Sequence, residues 1–333
     1  MRGRALAWSL AAGLLVAAPA AAEQKGRQAV VTSLTIFAGT DEGAYRSRNW
    51  GLDWEKLKHP GLVGLGAVHA IVPLGPRVYM GGDGGLYVSD DDGETWTRAL
   101  GGLGVLSVLP SRYPNVDQTV FVGTTEGLVK STDAGATFRA TSERGAAVRR
   151  LEWPGPALVM ATSAGLQFSQ DAGASFKKAG DTLPTGDVTS FALSSFFIVD
   201  PVLFAAVEGK GLVRSTNGGV TWVPAGLAGA TVTDLVWLGP FLYAVGGGGV
   251  HRSEDSGKTW TSLVEGLDGR TPIRIMFPLA PAAGSEAFLA TEDGAFHTPD
   301  GGSHWSGPML KGRRVLCLAT YPPPLGQTGI GPR

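Results

Sequence analysis

The octapeptide Ser89-Asp90-Asp91-Asp92-Gly93-Glu94-Thr95-Trp96, in pattern S-x-D-x-G-x-T-W, returns in six further copies, and a chain that repeats itself at this interval has few folds open to it. The other copies begin at Ser47, Ser131, Ser169, Ser215, Ser253 and Thr298 and end at Trp54, Phe138, Phe176, Trp222, Trp260 and Trp305. Successive copies start 38 to 46 residues apart, which is room for four short strands with turns and too irregular for a helical solenoid. Each period reads as one blade, and the chain as an all-β, seven-bladed β-propeller of four-stranded antiparallel blades.

The octapeptide is turn chemistry. Its third position holds Asn49, Asp91, Asp133, Asp171, Asn217, Asp255 and Asp300, short side chains that accept hydrogen bonds from backbone N–H groups just ahead and fold the chain on itself. Its fifth position is glycine in every copy, as a left-handed backbone requires. Its eighth is always aromatic, and a Trp there can bury roughly 200 Å² between neighbouring sheets. The box is therefore structural.

A second glycine stands ahead of every box, from Gly43 and Gly85 to Gly294, with a β-rich run before it such as Arg77-Val78-Tyr79-Met80. These flanks make a hairpin, the second and third strands of a blade. The fourth strand begins at the box aromatic, and the first is the run after the next linker, such as Val68 to Val72. Ahead of Gly43 there is space for a second strand from Ser33 to Gly39 and little for a first, whereas Arg313 to Thr320 looks like a first strand that no repeat follows. The expectation is a single propeller over residues 23–320, its ring closed by the C-terminal strand joining blade one, with a Pro- and Gly-rich tail at 321–333.

These repeats resemble the Asp-box (BNR-type) repeats of sialidases, related glycosidases, sortilin-type receptors and photosystem II assembly factors, and the resemblance spans nearly the whole mature chain. The copies at Ser89 and Ser253 fit at every defined position; the first departs most, with Asn49 for Asp and Asp53 for the usual Ser or Thr. The resemblance implies a box between the third and fourth strands of each blade, away from the functional face, and it names a fold without naming an activity. A sialidase-like activity would require an arginine cluster, a Tyr nucleophile beside a carboxylate and an Asp acid/base. The Arg-Ile-Pro motif that sialidases carry before the first box is absent, and the nearest string, Arg274-Ile275-Met276, falls in blade seven. Xyloglucanase-type relatives use two such propellers, and this chain has one. The favoured reading is a non-catalytic propeller scaffold that binds a protein partner or assists assembly of a complex, as photosystem II assembly factors do; the alternative is a glycan-binding or glycan-hydrolysing protein.

Residues 1–22 carry Arg2 and Arg4, an apolar run from Ala5 to Ala18, and Ala20-Ala21-Ala22 before Glu23. That is the pattern of a cleaved secretory signal peptide, and the apolar run is shorter than the roughly 20 residues that a membrane span needs. The expected destination is periplasmic or extracellular, with no membrane span after cleavage. The mature chain has 26 Lys and Arg against 29 Asp and Glu, a net charge of -3, so no nucleic-acid partner is expected. The five histidines lack zinc-ligand spacing, and the boxes lack the spacing and terminal Glu of a helix-loop-helix calcium site. No metal or cofactor is expected. The lone Cys317, in Val315-Leu316-Cys317-Leu318, cannot make an internal disulfide and reads as a buried apolar residue.

The working surface is expected opposite the boxes, where inner strands begin. Arg149, Arg150, Arg274, Arg313 and Arg314 fall near those starts, and His69, Thr189 and Asp234 join them from blades two, five and six. Guanidinium groups held together repel one another unless an anion neutralises them, which a carboxylate-bearing protein loop or an acidic sugar would do. The same face should carry the acidic second-to-third-strand turns: Asp41, Glu42, Asp83, Glu126, Glu208, Glu292 and Asp293. They are either plain hairpin chemistry or a surface for a cationic partner. A basic column ahead of the boxes (Arg46, Lys130, Arg214, Arg252, with His297) reads as a solvated strand face.

Overall fold

The glycine-bounded hairpins set the architecture. In a computed structural model of the protein, which describes residues 34–111, 116–154, 157–195, 197–278 and 286–321, each of the seven hairpins sits at the middle of a four-stranded antiparallel sheet. The leader expected at 1–22, and the tail beyond Tyr321, lie outside the described residues.

The first strands run Val68–Leu74, Val105–Pro110, Val148–Glu152, Val188–Leu193, Val232–Leu238, Pro272–Met276 and Val315–Tyr321 for blades two to seven and then one. They stand side by side round the centre, and the blade-seven strand packs beside Val315–Tyr321, which packs in turn beside Val68–Leu74. Blade one has the order Val315–Tyr321, Thr35–Thr40, Gly43–Ser47, Glu55–Lys56. The last strand of the chain therefore forms the innermost strand of the first blade, with Ile36 opposite Thr320 and Ala38 opposite Leu318. Closure brings blade one to four strands and pairs the inner edge of Thr35–Thr40.

Second strands are sandwiched between neighbouring sheets, so they read as continuous apolar runs and not as alternation. Leu203–Val207 is buried at every position. Fourth strands lie at the rim, and short ones such as Lys177–Lys178 are exposed throughout. The box aromatics fill the spaces between blades: Trp305 packs with Leu263, Leu267 and Phe296, and Trp96 with Phe37, Leu65 and Val78. Cys317 is buried in that second cluster.

Each box closes as the sequence suggests. The Ser89 hydroxyl accepts the Gly93 N–H at 2.8 Å. Asp91 accepts the Thr95 N–H at 2.8 Å and the Thr95 hydroxyl at 2.6 Å. Those Thr95 bonds, with one from Ser89, hold the Asp91 carboxyl down at about 2, and Thr137 does the same for Asp133. Gly93 adopts φ +84°, and the residue before it is left-handed too, Asp92 at φ +57°.

That second left-handed residue turns its carbonyl toward the preceding blade, where a side chain takes it. The Arg46 guanidinium donates to the Asp92 carbonyl at 2.8 Å, the Tyr79 hydroxyl to Ala134 at 3.1 Å, the Lys130 ammonium to Ala172 at 2.9 Å, and the Tyr243 hydroxyl to Gly301 at 3.3 Å. Arg46 is buried and ion-paired to Glu55 and Glu94. Two members of the basic column that reads as a solvated face in sequence, Arg46 and Lys130, are thus latches between blades. Among the described residues, no helix is long and apolar enough to cross a membrane.

Candidate functional site at the channel mouth

One backbone irregularity shapes the central channel. In each blade the register between first and second strands slips by one residue just inside the first strand, at His69, Leu106, Arg149, Thr189, Thr233, Ile273 and Leu316. Such a bulge re-aims the side chains that follow it. The next residues, Ala70, Ser107, Arg150, Ser190, Asp234, Arg274 and Cys317, all line the cavity of about 90 Å³ on the axis.

Adjacent first strands are not paired through their backbones, and side chains near the bulge bridge them. Ser107 donates to the Val148 carbonyl at 3.1 Å, and Thr233 to Ile273 at 2.7 Å. Thr189 donates to Val232. The approach is close enough that a Cβ on Gly123, in the second strand beside Ser107, would stand 2.2 Å from the Ser107 hydroxyl and 2.5 Å from the Val148 carbonyl. A side chain there would push the blades apart.

The sequence-derived residues fall into three groups. Arg150 and Asp234 meet inside the channel at 2.8 Å. Arg150 also holds Glu152 at 2.8 Å and the Ser190 hydroxyl at 3.3 Å. Asp234 is only 2% exposed and accepts the backbone N–H groups of Leu235 at 3.0 Å and Ile275 at 3.2 Å. One carboxylate thus ties blades four, six and seven together. Burial pulls the Arg150 pKa down, and the charges of Glu152 and Asp234 more than reverse it, so it ends above its ordinary value.

The second group pairs outward. Arg149 grips Asp187 with two nitrogens, its Nε at 2.7 Å, and that contact raises its pKa. Arg314 meets Glu292 at 2.7 Å, Arg313 meets Glu42, and His69 meets Asp83 at 2.7 Å. Arg313, Arg314 and His69 thus find their partners in the acidic turns, a separate feature in sequence, whereas Arg149 takes Asp187, ahead of the blade-five first strand. The placement follows from the backbone: in all seven blades a second-to-third-strand turn donates an N–H to the residue before a first strand, as Asp41 does to Arg314 and Glu292 to Thr271.

Arg274 stands apart. Its guanidinium donates to the His69 carbonyl at 3.4 Å, and no carboxylate lies within ion-pair distance of it among the described residues. It lines the cavity beside Cys317, whose thiol is pushed up to about 11 by burial against a small opposing pull from Arg274. Thr189 contributes a strand bridge and no charge. Glu152 and Ser190 complete the inner network without having been singled out in sequence, because only the bulge reveals that they face it, and Asp187, just ahead of its strand, answers Arg149. No cluster of three or more His, Cys, Asp or Glu suited to a metal occurs among the described residues.

The BNR/Asp-box repeat family matches residues 87–98, the second of the seven copies, and the other six close through the same Ser/Thr and Asp/Asn bonds, as at Ser47–Gly51 and Thr298–Gly302. The chain is a seven-bladed Asp-box propeller. No curated protein matches the propeller in sequence. Several solved structures share its fold. YCF48 bound to D1 peptide is 16% identical, with TM-score 0.56 over 72% of this chain and 80% of that one. YCF48 from Cyanidioschyzon merolae is 15% identical, with TM-score 0.54 over 73% and 89%. The GH74 enzyme of Niastella koreensis is 17% identical, with TM-score 0.57 over 74% of this chain and 45% of the enzyme, so the propeller spans less than half of it.

Proposed function

We propose that this propeller is an exported, non-catalytic scaffold that docks a protein partner on its channel-mouth face, in support of assembling a complex, with a partner carboxylate received by Arg274. The observation that carries the reading is the lone guanidinium in a narrow cavity. Every other channel arginine has an internal carboxylate, while Arg274 has a backbone carbonyl only, and a partly buried guanidinium gains most from a carboxylate in fork geometry. A cavity of about 90 Å³ is far below the roughly 300–1,000 Å³ of a small-molecule site; it suits one inserted side chain and not a sugar chain. The channel carboxylates are committed: Asp234 to Arg150 and two backbone N–H groups, and Asp187 to Arg149. That leaves neither placed as the acid or nucleophile of glycoside hydrolysis. A fold neighbour, YCF48, is bound to a peptide, which is consistent with protein recognition.

Capture from the native cell envelope tests the reading, with the wild-type propeller compared with the folded Arg149→Glu/Arg274→Glu variant. A partner retained by the first and lost by the second is expected, on a protein whose mature chain begins at Glu23. Equal capture, or hydrolysis of aryl glycosides or xyloglucan by the purified wild type, overturns it.

A further inference from the structure

The rim of blade one differs from most of the others. In four blades the outer chain crosses the glycine that opens the third strand: a Cβ on Gly85, Gly127, Gly211 or Gly294 would stand 1.9 to 2.5 Å from a backbone carbonyl. At Gly43 the nearest atom is the tip of Lys56, at 3.7 Å. The fourth strand here is only Glu55–Lys56. Leu57 donates to the Ala44 carbonyl at 2.9 Å, but no described residue accepts the Ala44 N–H, whereas in blade five Leu212 is paired through both its groups. The start of this third strand is an open sheet edge.

That edge forms one wall of a groove of about 630 Å³. The facing wall is the connection to blade two, fixed by a 3-10 turn at Pro60–Leu62. His59 Nδ1 locks this turn by accepting the N–H groups of Gly61 at 3.0 Å and Trp96 at 3.3 Å. Leu57, Leu62 and Val63 supply apolar surface, and Val63 is 78% exposed. On the rim, Glu42 is taken by Arg313. Lys56 and Lys58 are exposed and have no carboxylate within ion-pair distance among the described residues. The groove thus offers a free backbone donor, apolar walls and two ammonium groups against one carboxylate, Asp41, that has no ion-pair partner among the described residues.

We propose that this groove binds an extended peptide segment of a protein partner. The segment's main chain adds to the edge at Ala44, an apolar side chain lies between Leu57 and Val63, and an acidic side chain reaches Lys56 and Lys58. Extended peptides bind exposed edges in this way, backbone bonds giving affinity and side-chain pockets giving specificity; the charge excess selects an acidic partner. The inference stands apart from the role given to Arg274, which lies on the axis.

Phage-displayed random peptides selected on the intact protein, then resynthesised for anisotropy titration, provide the test. Enriched peptides should place Asp or Glu next to a large apolar residue. Their Kd should rise at least tenfold with Val63→Asp or Lys58→Glu, both surface changes that spare the fold, and should be unmoved by Arg274→Glu. N-methylation of one peptide backbone position should abolish binding. Failure to enrich any peptide overturns the proposal, as does equal binding to Val63→Asp. A wild-type dimer in sedimentation that Val63→Asp dissociates overturns it too, and assigns the groove to a second copy of this chain.

Discussion

Replacing Asp234 by Ala tests whether the channel network holds the ring together. The carboxylate is buried and bonded to four partners: the Arg150 guanidinium at 2.8 Å, the Leu235 N–H, the Ile275 N–H and, at 3.5 Å, the Ser190 hydroxyl. Leu235 keeps an alternative acceptor in the Ser190 hydroxyl at 3.1 Å, so alanine orphans one backbone donor, at a cost of about 1–3 kcal/mol. Arg150 keeps Glu152, which places the loss of charge pairing at the lower end of the roughly 3–5 kcal/mol expected for breaking a buried pair. These terms overlap, and a total near 4 kcal/mol is expected, against about 5–15 kcal/mol for a whole domain. At roughly 2 °C per kcal/mol for a domain of this size, Tm should fall by about 8 °C in calorimetry. The companion variant Arg150→Met should cost a similar amount, and the double variant less than the sum by about 1–3 kcal/mol, since both remove the same contact. Strict additivity, or a loss under 1 kcal/mol for Asp234→Ala, would refute the keystone role.

Three further outcomes are expected. Trp305, 1% exposed and donating to the Leu263 carbonyl at 3.1 Å, should lose about 3–5 kcal/mol on change to Ala in denaturant unfolding; the half-buried Trp260 should lose less, and the reverse order would contradict the plug role. Deleting residues from Arg313 onward should unfold the protein, because it strips the partner from Thr35–Thr40, while deleting 322–333 should leave Tm unchanged by comparison. The box carboxylates of Asp91 and Asp133 sit at about 2 when folded, below the roughly 3.9 of an unfolded Asp; their contribution is present above pH 4 and is lost as pH falls toward 2. Acid titration followed by circular dichroism should therefore show a transition in that window, and the Asp91→Asn/Asp133→Asn variant, whose amides do not titrate, should unfold over a shallower range.

The blades were legible because each is encoded within about forty residues: box, hairpin glycines and apolar runs all speak of neighbours along the chain. Ring closure was legible for the same reason, as a strand pattern without a repeat after it. The channel electrostatics were not, because pairs such as Arg150–Asp234 and Arg314–Glu292 join residues from different blades. Arg313 and Glu42 lie 271 positions apart, and nothing local in either predicts the other. The one-residue bulge hid the channel layer, since Arg149 and Arg150 look equivalent in sequence, yet one turns to the rim of the channel and the other into it. The latch at Arg46 escaped because its acceptor, the Asp92 carbonyl, belongs to the next box and depends on a left-handed residue that is not glycine.

Placing the last strand of the chain inside the first blade also sets an order of events. Blades two to seven are complete once their own residues have been synthesised, but Thr35–Thr40 waits for Val315–Tyr321. Bringing Ile36 to Thr320 closes a loop whose entropy, at (3/2)RT ln n, is about 5 kcal/mol, and only prior stacking of the intervening blades shortens that search. Until then the N-terminal hairpin presents a bare apolar edge, the kind of surface on which chains cross-pair. Maturation of this protein is thus governed by its final residues: a chain truncated near its end is not a slightly smaller propeller but one held permanently at its most aggregation-prone stage.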